Sequence, residues 1–305
     1  MKTLNKMKNE KGEMRNCFFG SAILVLSAFS FLLSSCSQDG DFEQEITKDT
    51  PLTIASAGVA ELTTRAVADG KLVGTADENA TMSIFITGGS EAKYNATNVK
   101  WEHDGTGWDS ETSVLYEGTN SSQEICALSP YVDGASAEGV TITADGVTDY
   151  LVASQTLITS NPVNIIMSHA LAKLVLNPTL GTEVTGDNIA TVEVQNMYTQ
   201  GTLNVEVNNW TNCTGTTAFT MNKVNGNYEV LVVPMEECES FPIVVTMNSG
   251  RVFKATISLA DVESELAGGT QYTIKLQIGH DTVTIGDISA ASWGTPVVGG
   301  DLETE

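Results

Sequence analysis

Short apolar segments that alternate with polar residues, separated by glycine and asparagine turns, run through most of this chain. Residues 81–87 alternate in this way and end at Gly88-Gly89, and residues 228–233 form an apolar run shortly after Asn225-Gly226. Such strands follow one another at intervals of roughly 8–12 residues, a spacing typical of β-sandwiches rather than of alternating strands and helices. The pattern therefore predicts an all-β fold.

Turn signals predict where consecutive strands form hairpins. Asn-Gly, Asp-Gly and Ser-Gly pairs favour tight turns because glycine and asparagine tolerate positive φ angles. Residues 140–143 and 150–152 are expected to form a hairpin or another tight connection. Hairpins are also expected to join residues 243–247 to 252–259 and residues 271–278 to 282–288. The best helical candidate is the segment 259–267, which Asp261 could cap and Gly268 could end.

The N-terminus has the features of a bacterial export signal. The basic residues that open the chain are Lys2, Lys6, Lys8, Lys11 and Arg15. The charge-free segment 17–33 follows, and Leu33-Ser34-Ser35-Cys36 ends it in a way that resembles the bacterial lipoprotein signal, in which the cysteine is acylated and becomes the mature N-terminus. We therefore expect residues 1–35 to be a signal peptide and Cys36 to carry lipid. The alternatives are an uncleaved membrane anchor or a buried helix with a chance cysteine. Both a lipoprotein signal and a membrane anchor would put the rest of the chain outside the cytoplasm.

The charge of the remaining chain excludes several classes of partner. After residue 35 there are 10 Lys and Arg residues against 36 Asp and Glu residues, a formal net charge of −26. Such a surface repels nucleic acid phosphates and disfavours peripheral binding to anionic lipid. We expect no nucleic acid partner, and attachment to a membrane would have to come from the acyl chains.

The sequence shows little sign of catalytic or metal chemistry. The histidines are His103, His169 and His280, of which the first and last lie in predicted loops and His169 lies among apolar residues. No nucleophile elbow, zinc-binding or phosphate-binding motif occurs, so we expect no enzyme, no cofactor and no metal site. An exported hydrolase that uses a carboxylate pair is the remaining enzymatic hypothesis. Cys213 and Cys238 could form a disulfide or be two free thiols.

Trp101 and Trp108 flank the turn Asp104-Gly105-Thr106-Gly107. Exposed aromatic side chains on a β-sandwich are a carbohydrate-binding signature, whereas cross-strand aromatic pairs in hairpins commonly serve packing. Glycan contact through these two residues is therefore one hypothesis. It supports an alternative function, a lipid-anchored surface glycan-binding protein of a nutrient-uptake system.

Arg65 is the only arginine between Arg15 and Arg251. It follows an acidic, aperiodic tether after Cys36 and a strand-compatible segment that begins at Pro51. An isolated arginine in a chain so poor in basic residues is a clear target for a trypsin-like protease. The alternative is an ordinary solvated loop arginine.

Several motifs together resemble the fimbrillin family of type V pili. These are the lipoprotein cysteine Cys36, the segment Thr63-Thr64-Arg65-Ala66, Ser129-Pro130-Tyr131, the stretch 169–174 (HALAKL), residues 267–274 and Ser292-Trp293-Gly294. Each motif is short, and their order and spacing carry the resemblance, which covers essentially the whole chain.

The resemblance implies two tandem transthyretin-like Greek-key β-sandwich domains in a surface fimbrial subunit that supports adhesion. It implies that a tether and removable N-terminal strand, residues 36–65, follow the signal peptide at 1–35. The turn residues Ser160-Asn161-Pro162, near the middle of the mature chain, predict the boundary between domains at 66–162 and 163–305. An arginine-specific protease would cut between Arg65 and Ala66, and other subunits would join head to tail by donor-strand exchange, in which a strand of one subunit fills the vacated groove of the next. The subunit would reach the outer membrane through the lipid on Cys36. Shaft subunits of the family donate a C-terminal segment, which here is short.

Overall fold

The structure is a computed structural model that describes residues 48–59, 80–260 and 262–293. These residues are organised in β-strands with a single short 3-10 turn at Ala92–Tyr94. The strands are β1 (Thr50–Pro51), β2 (Ile54–Val59), β3 (Thr81–Thr87), β4 (Ala96–His103), β5 (Trp108–Asp109), β6 (Leu115–Tyr116), β7 (Glu124–Ser129), β8 (Val140–Thr143), β9 (Leu151–Leu157), β10 (Val163–His169), β11 (Ala172–Leu180), β12 (Ile189–Asn204), β13 (Asn209–Thr220), β14 (Asn222–Val224), β15 (Asn227–Val232), β16 (Ser240–Met247), β17 (Val252–Ser258), β18 (Thr270–Ile278) and β19 (Val283–Ser292). The predicted all-β fold is confirmed.

A seven-stranded sheet forms the first half of the described chain, in the order β2-β10-β9-β7-β3-β4-β5. The sheet curls, so that its two edge strands β2 and β5 approach each other. Inside the curl lies a buried apolar cluster that includes Met82, Ile84 and Ile165. When only one face of a sheet is buried, buried and exposed side chains must alternate along each strand. Strand β10 shows this alternation, since every second side chain from Val163 to His169 is buried.

Two five-stranded sheets form the second half, in the orders β14-β15-β11-β18-β19 and β13-β12-β16-β17. Side chains from both sheets meet in one buried cluster, which includes Leu174, Tyr272 and Phe241. Two sheets that share a core in this way make a β-sandwich. Strand β8 adds to the second sheet by pairing with β12.

A third buried cluster joins the two halves. It contains Phe85 and Cys126 of the seven-stranded sheet together with Leu203, Trp210 and Leu231 of the second half. The described residues accordingly belong to one compact unit. The division into domains at 66–162 and 163–305 stays a prediction; strand β10, which begins at Val163, lies in the seven-stranded sheet. No helix among the described residues is long and apolar enough to span a bilayer.

Local turn chemistry predicts some of the hairpins and not others. Asn225 and Gly226 adopt φ angles of +50° and +91° and join β14 to β15, while Gly250 turns β16 into β17. The hairpin predicted across Asp145-Gly146 is wrong, because β8 pairs with the distant β12 instead of β9. The predicted helix at 259–267 is also wrong. The segment makes a turn at Leu259, and Leu266 then pairs with Met235.

Candidate functional site: the slot filled by residues 48–59

Residues 48–59 are the first described segment, and they lie in a slot between two edges of the first half. On one side β2 runs parallel to β10, with Ile54 opposite Val163 and Val59 opposite Met167. Because β2 is the last strand of its sheet, β10 would become the sheet edge if this segment left. The segment therefore occupies the edge of the hydrogen-bonded sheet.

On the other side the segment pairs with residues 114–116. Strand β1 is antiparallel to β6, and the amides of Asp49 and Leu52 donate to the carbonyls of Tyr116 and Val114 at 2.9 and 2.8 Å. One continuous stretch of chain thus bridges the β10 edge and the β6 edge. It closes the open side of the curled sheet.

The segment also supplies apolar side chains to the core. Leu52, Ile54, Ala57 and Val59 are buried, each at most 8% exposed, and they belong to the cluster inside the curl. Removing them would expose the core side chains that they cover. Burying a large aliphatic side chain contributes about 1.5–3 kcal/mol, so an empty slot is costly.

Asn161 holds the segment with its side-chain amide. Its Oδ1 accepts from the Thr53 amide at 2.9 Å and from the Thr53 hydroxyl at 3.0 Å, and its Nδ2 donates to the Pro51 carbonyl at 2.9 Å and the Thr50 hydroxyl at 3.3 Å. The amide group therefore pairs with the segment much as a neighbouring strand would. Sequence reasoning missed this role and saw only turn chemistry at Ser160-Asn161-Pro162.

An ion pair fixes the start of the segment. Asp49 accepts from Lys93 at 2.9 Å and from the Tyr94 hydroxyl at 2.5 Å. The hydrogen bond from Lys93 and that from Tyr94 hold the pKa of the Asp49 carboxyl below its usual value. Nothing in the sequence pattern around Asp49 indicated these contacts, which join residues far apart in the chain.

The structure corrects the expectation for Trp101 and Trp108. Both are buried, at 5% and 8% exposure, and both belong to the cluster inside the curl. The pairing of β4 with β5 puts Trp108 opposite His103, so the two tryptophans lie on the face that turns inward. The hairpin aromatics therefore pack the core, and they are not the exposed pair that the glycan-binding alternative needs.

The other predicted site residues, Cys36, Arg65 and Ala66, lie outside the described residues. The described segment ends at Val59, six residues before Arg65. Cys126, Cys213 and Cys238 are free thiols. Among the residues that the structure describes, no group of three or more His, Cys, Asp or Glu side chains could hold a metal ion.

Two of the sequence motifs meet at the far end of β10. The His169 ring stacks on Trp293 with their centroids 3.6 Å apart, and His169 Nδ1 lies 2.8 Å from Asp149 Oδ2. Lys173 lies over the same Trp293 ring and pairs with Glu229 at 2.7 Å. The HALAKL stretch therefore anchors Trp293, the last described residue of the chain, at the end of β10, the strand that pairs with the segment 48–59.

Comparisons with known proteins agree with this architecture. A family model described as fimbrillin-like matches residues 64–293. A proposed cell adhesion protein from Bacteroides uniformis aligns at 18% identity with a TM-score of 0.62, over 80% of this chain and 99% of that one. One from Bacteroides ovatus aligns at 16% identity and a TM-score of 0.56, over 79% and 97%. A fimbrial protein from Bacteroides vulgatus aligns at 11% identity and 0.53, over 80% and 100%. No curated protein matches the chain.

Proposed function

The chain belongs to the fimbrillin-like family, and from that premise we propose that it is a structural subunit of a surface fimbria that assembles by exchange of the strand in the slot. Membership implies a cell-surface location and partners that are other fimbrial subunits. In this proposal the chain is exported as a lipoprotein on Cys36 and cut after Arg65. The observation that carries the proposal is the segment 48–59, which completes the core yet precedes the cut site in the chain.

A cut after Arg65 makes the segment a separate peptide that only non-covalent contacts retain. Its departure would leave the backbone groups of β10 unpaired and expose an apolar slot. A strand from a neighbouring subunit repairs both defects by β-augmentation. A contact between two different surfaces does not close on itself, so its repetition yields a filament.

The structure also supports Arg65 as the selective cleavage point. Arg251 is the other arginine after Cys36, and the fold binds its guanidinium tightly. Its Nη1 donates to the His280 carbonyl at 2.5 Å, and its Nη2 donates to Asp187 Oδ2 at 3.0 Å. A protease needs an extended, accessible chain around the scissile bond, and the Arg251 contacts oppose that.

The donor in this proposal is the C-terminal segment of a second copy. Val297, Gly300 and Leu302 follow one another with the same spacing as the buried Ile54, Ala57 and Val59. The large, small, large order of side chains is the same in both sets. A strand in that register would run parallel to β10, as β2 does.

The test is assembly of the full-length protein after treatment with an arginine-specific protease. The wild type and the matched control Arg251→Ala should lose residues up to 65 and form polymers that resist mild SDS. Arg65→Ala should stay uncut and monomeric. Normal polymerisation by Arg65→Ala would overturn the proposal.

A further inference from the structure

Three buried hydrogen-bond donors in the first-half core have no partner. They are Trp101 Nε1, Trp108 Nε1 and the Tyr116 hydroxyl, and all three side chains belong to the cluster inside the curl. Burial also raises the pKa of the Tyr116 hydroxyl, which therefore stays a donor. Buried donors are normally hydrogen-bonded, so three unpaired ones in one core require an explanation.

Two of these donors, on Tyr116 and Trp108, belong to strands that border the slot. Tyr116 pairs with Thr50, and Leu52 bonds to the Val114 carbonyl, so Tyr116 stands diagonally beside Leu52 on one face of the β1–β6 ribbon. Strand β5, which carries Trp108, lies close to β2. The pairing of β4 with β5 puts Trp101 on the same inward face as Trp108.

The side chains that the resident segment buries in the core do not satisfy these donors. Its core-facing side chains are Leu52, Ile54, Ala57 and Val59, which contain only hydrocarbon. An unsatisfied buried donor weakens the state that contains it, so the filled slot of the uncut protein is less stable than its apolar contacts alone would make it. A strand that brought an acceptor into the slot would be the better occupant.

We propose that the slot selects a donated strand that carries a hydrogen-bond-accepting side chain at the position of Leu52, and that Tyr116 and Trp108 are specificity-determining residues for that strand. The inference rests on the proposed strand exchange. The occupant is the C-terminal segment of a second copy, where Thr295 precedes Val297 by two residues, as Leu52 precedes Ile54. A threonine hydroxyl accepts hydrogen bonds, whereas leucine has no acceptor.

The experiment measures binding of a synthetic peptide of residues 294–305 to the protease-cut protein. Three peptides are compared: the native sequence, Thr295→Val, which keeps the shape but removes the acceptor, and Thr295→Ser, which keeps the acceptor. The native and serine peptides should displace the cut segment, and the valine peptide should bind about tenfold more weakly, as expected for one lost hydrogen bond to a buried donor.

A double-mutant cycle then assigns the donor. In Tyr116→Phe the difference in affinity between the native and the valine peptide should shrink. Trp108→Phe tests the second donor in the same way. Uncut Tyr116→Phe should unfold at the same temperature as the wild type or higher, because the change removes an unpaired hydroxyl. The inference would be overturned if the valine peptide bound as tightly as the native one. It would also be overturned if the affinity difference between the two peptides were unchanged in both Tyr116→Phe and Trp108→Phe. If none of the peptides bound, the proposed strand exchange itself would fail.

Discussion

Ile54 gives the sharpest test of what the segment 48–59 does in the uncut protein. Its side chain is 6% exposed in the core cluster, and its strand position is opposite Val163 at the start of β10. Replacing Ile54 with alanine removes buried methyl and methylene groups from one edge of the core. Such truncations cost about 2–4 kcal/mol, depending on how far the surroundings collapse.

The loss should appear as local opening of the slot. When the segment detaches, the amides of residues 163–167 that face β2, such as the Val163 amide bonded to the Thr53 carbonyl, lose their partners and exchange with solvent. A cost of about 2–4 kcal/mol corresponds to exchange about 30- to 1,000-fold faster. Hydrogen–deuterium exchange with mass spectrometry of the uncut protein measures this directly.

A matched control lies on the same strand. Ala55 is exposed next to Ile54, so Ala55→Ser should leave exchange of β10 unchanged. Peptides from β18, in the second half, report whether Ile54→Ala acts globally. Unchanged protection of residues 163–167 in Ile54→Ala would refute the claim that this segment holds the slot closed.

Three further predictions concern Asn161 in the slot and two contacts elsewhere in the fold. Asn161→Ala removes four hydrogen bonds to the segment, so after cleavage the segment should dissociate at least about tenfold faster. Mass spectrometry of the released peptide measures this rate, which the control Ser160→Ala should not change. Asp187→Ala removes the anchor of Arg251, so an arginine-specific protease should cut at a second position; peptide mapping that finds only the cut after Arg65 would refute this. His169→Ala removes the stack on Trp293 and should shift the Trp293 signal in fluorine NMR of fluorotryptophan-labelled protein, and His169→Phe should restore it.

The Asp187 contacts also carry a pH dependence. Hydrogen bonds from Ser249 and then Arg251 lower the pKa of the Asp187 carboxyl to about 2. A lowered pKa in the fold stabilises it above the ordinary carboxyl value of 3.8, and this contribution is lost as the pH falls towards about 2. Thermal unfolding of Asp187→Ala should therefore differ from the wild type at neutral pH and converge with it in strong acid. A constant difference down to pH 2 would contradict this assignment.

The sequence indicated those features that depend on local chemistry. The turn at Asn225-Gly226 was predictable because its two positive φ angles suit those residue types, and the alternation of β10 follows the burial of one face. Pairing between distant strands was not predictable from one sequence. The partner of β8 lies in β12, so the local signal at Asp145-Gly146 could not identify it.

In the candidate site, too, local features were predictable from the sequence and contacts between distant residues were not. Arg65 and the apolar character of the segment before it were visible in the sequence. The roles of Asn161 and Asp49 depend on contacts with segments far along the chain, which no local pattern encodes. For Trp101 and Trp108, both packing and glycan contact were compatible with the hairpin, and only the curl of the sheet decides for packing.

The most direct test of the central claim is the composition of the subunit within assembled filaments. Filaments purified from the cell surface would be digested and analysed by quantitative mass spectrometry for the N-terminus and for peptides of residues 48–59. The account predicts a free N-terminus at Ala66 and filaments depleted of residues 48–59, since the segment leaves when a neighbouring strand enters. Filaments that retain residues 48–59 in equal amount with the rest of the chain, on an acylated Cys36, would contradict it.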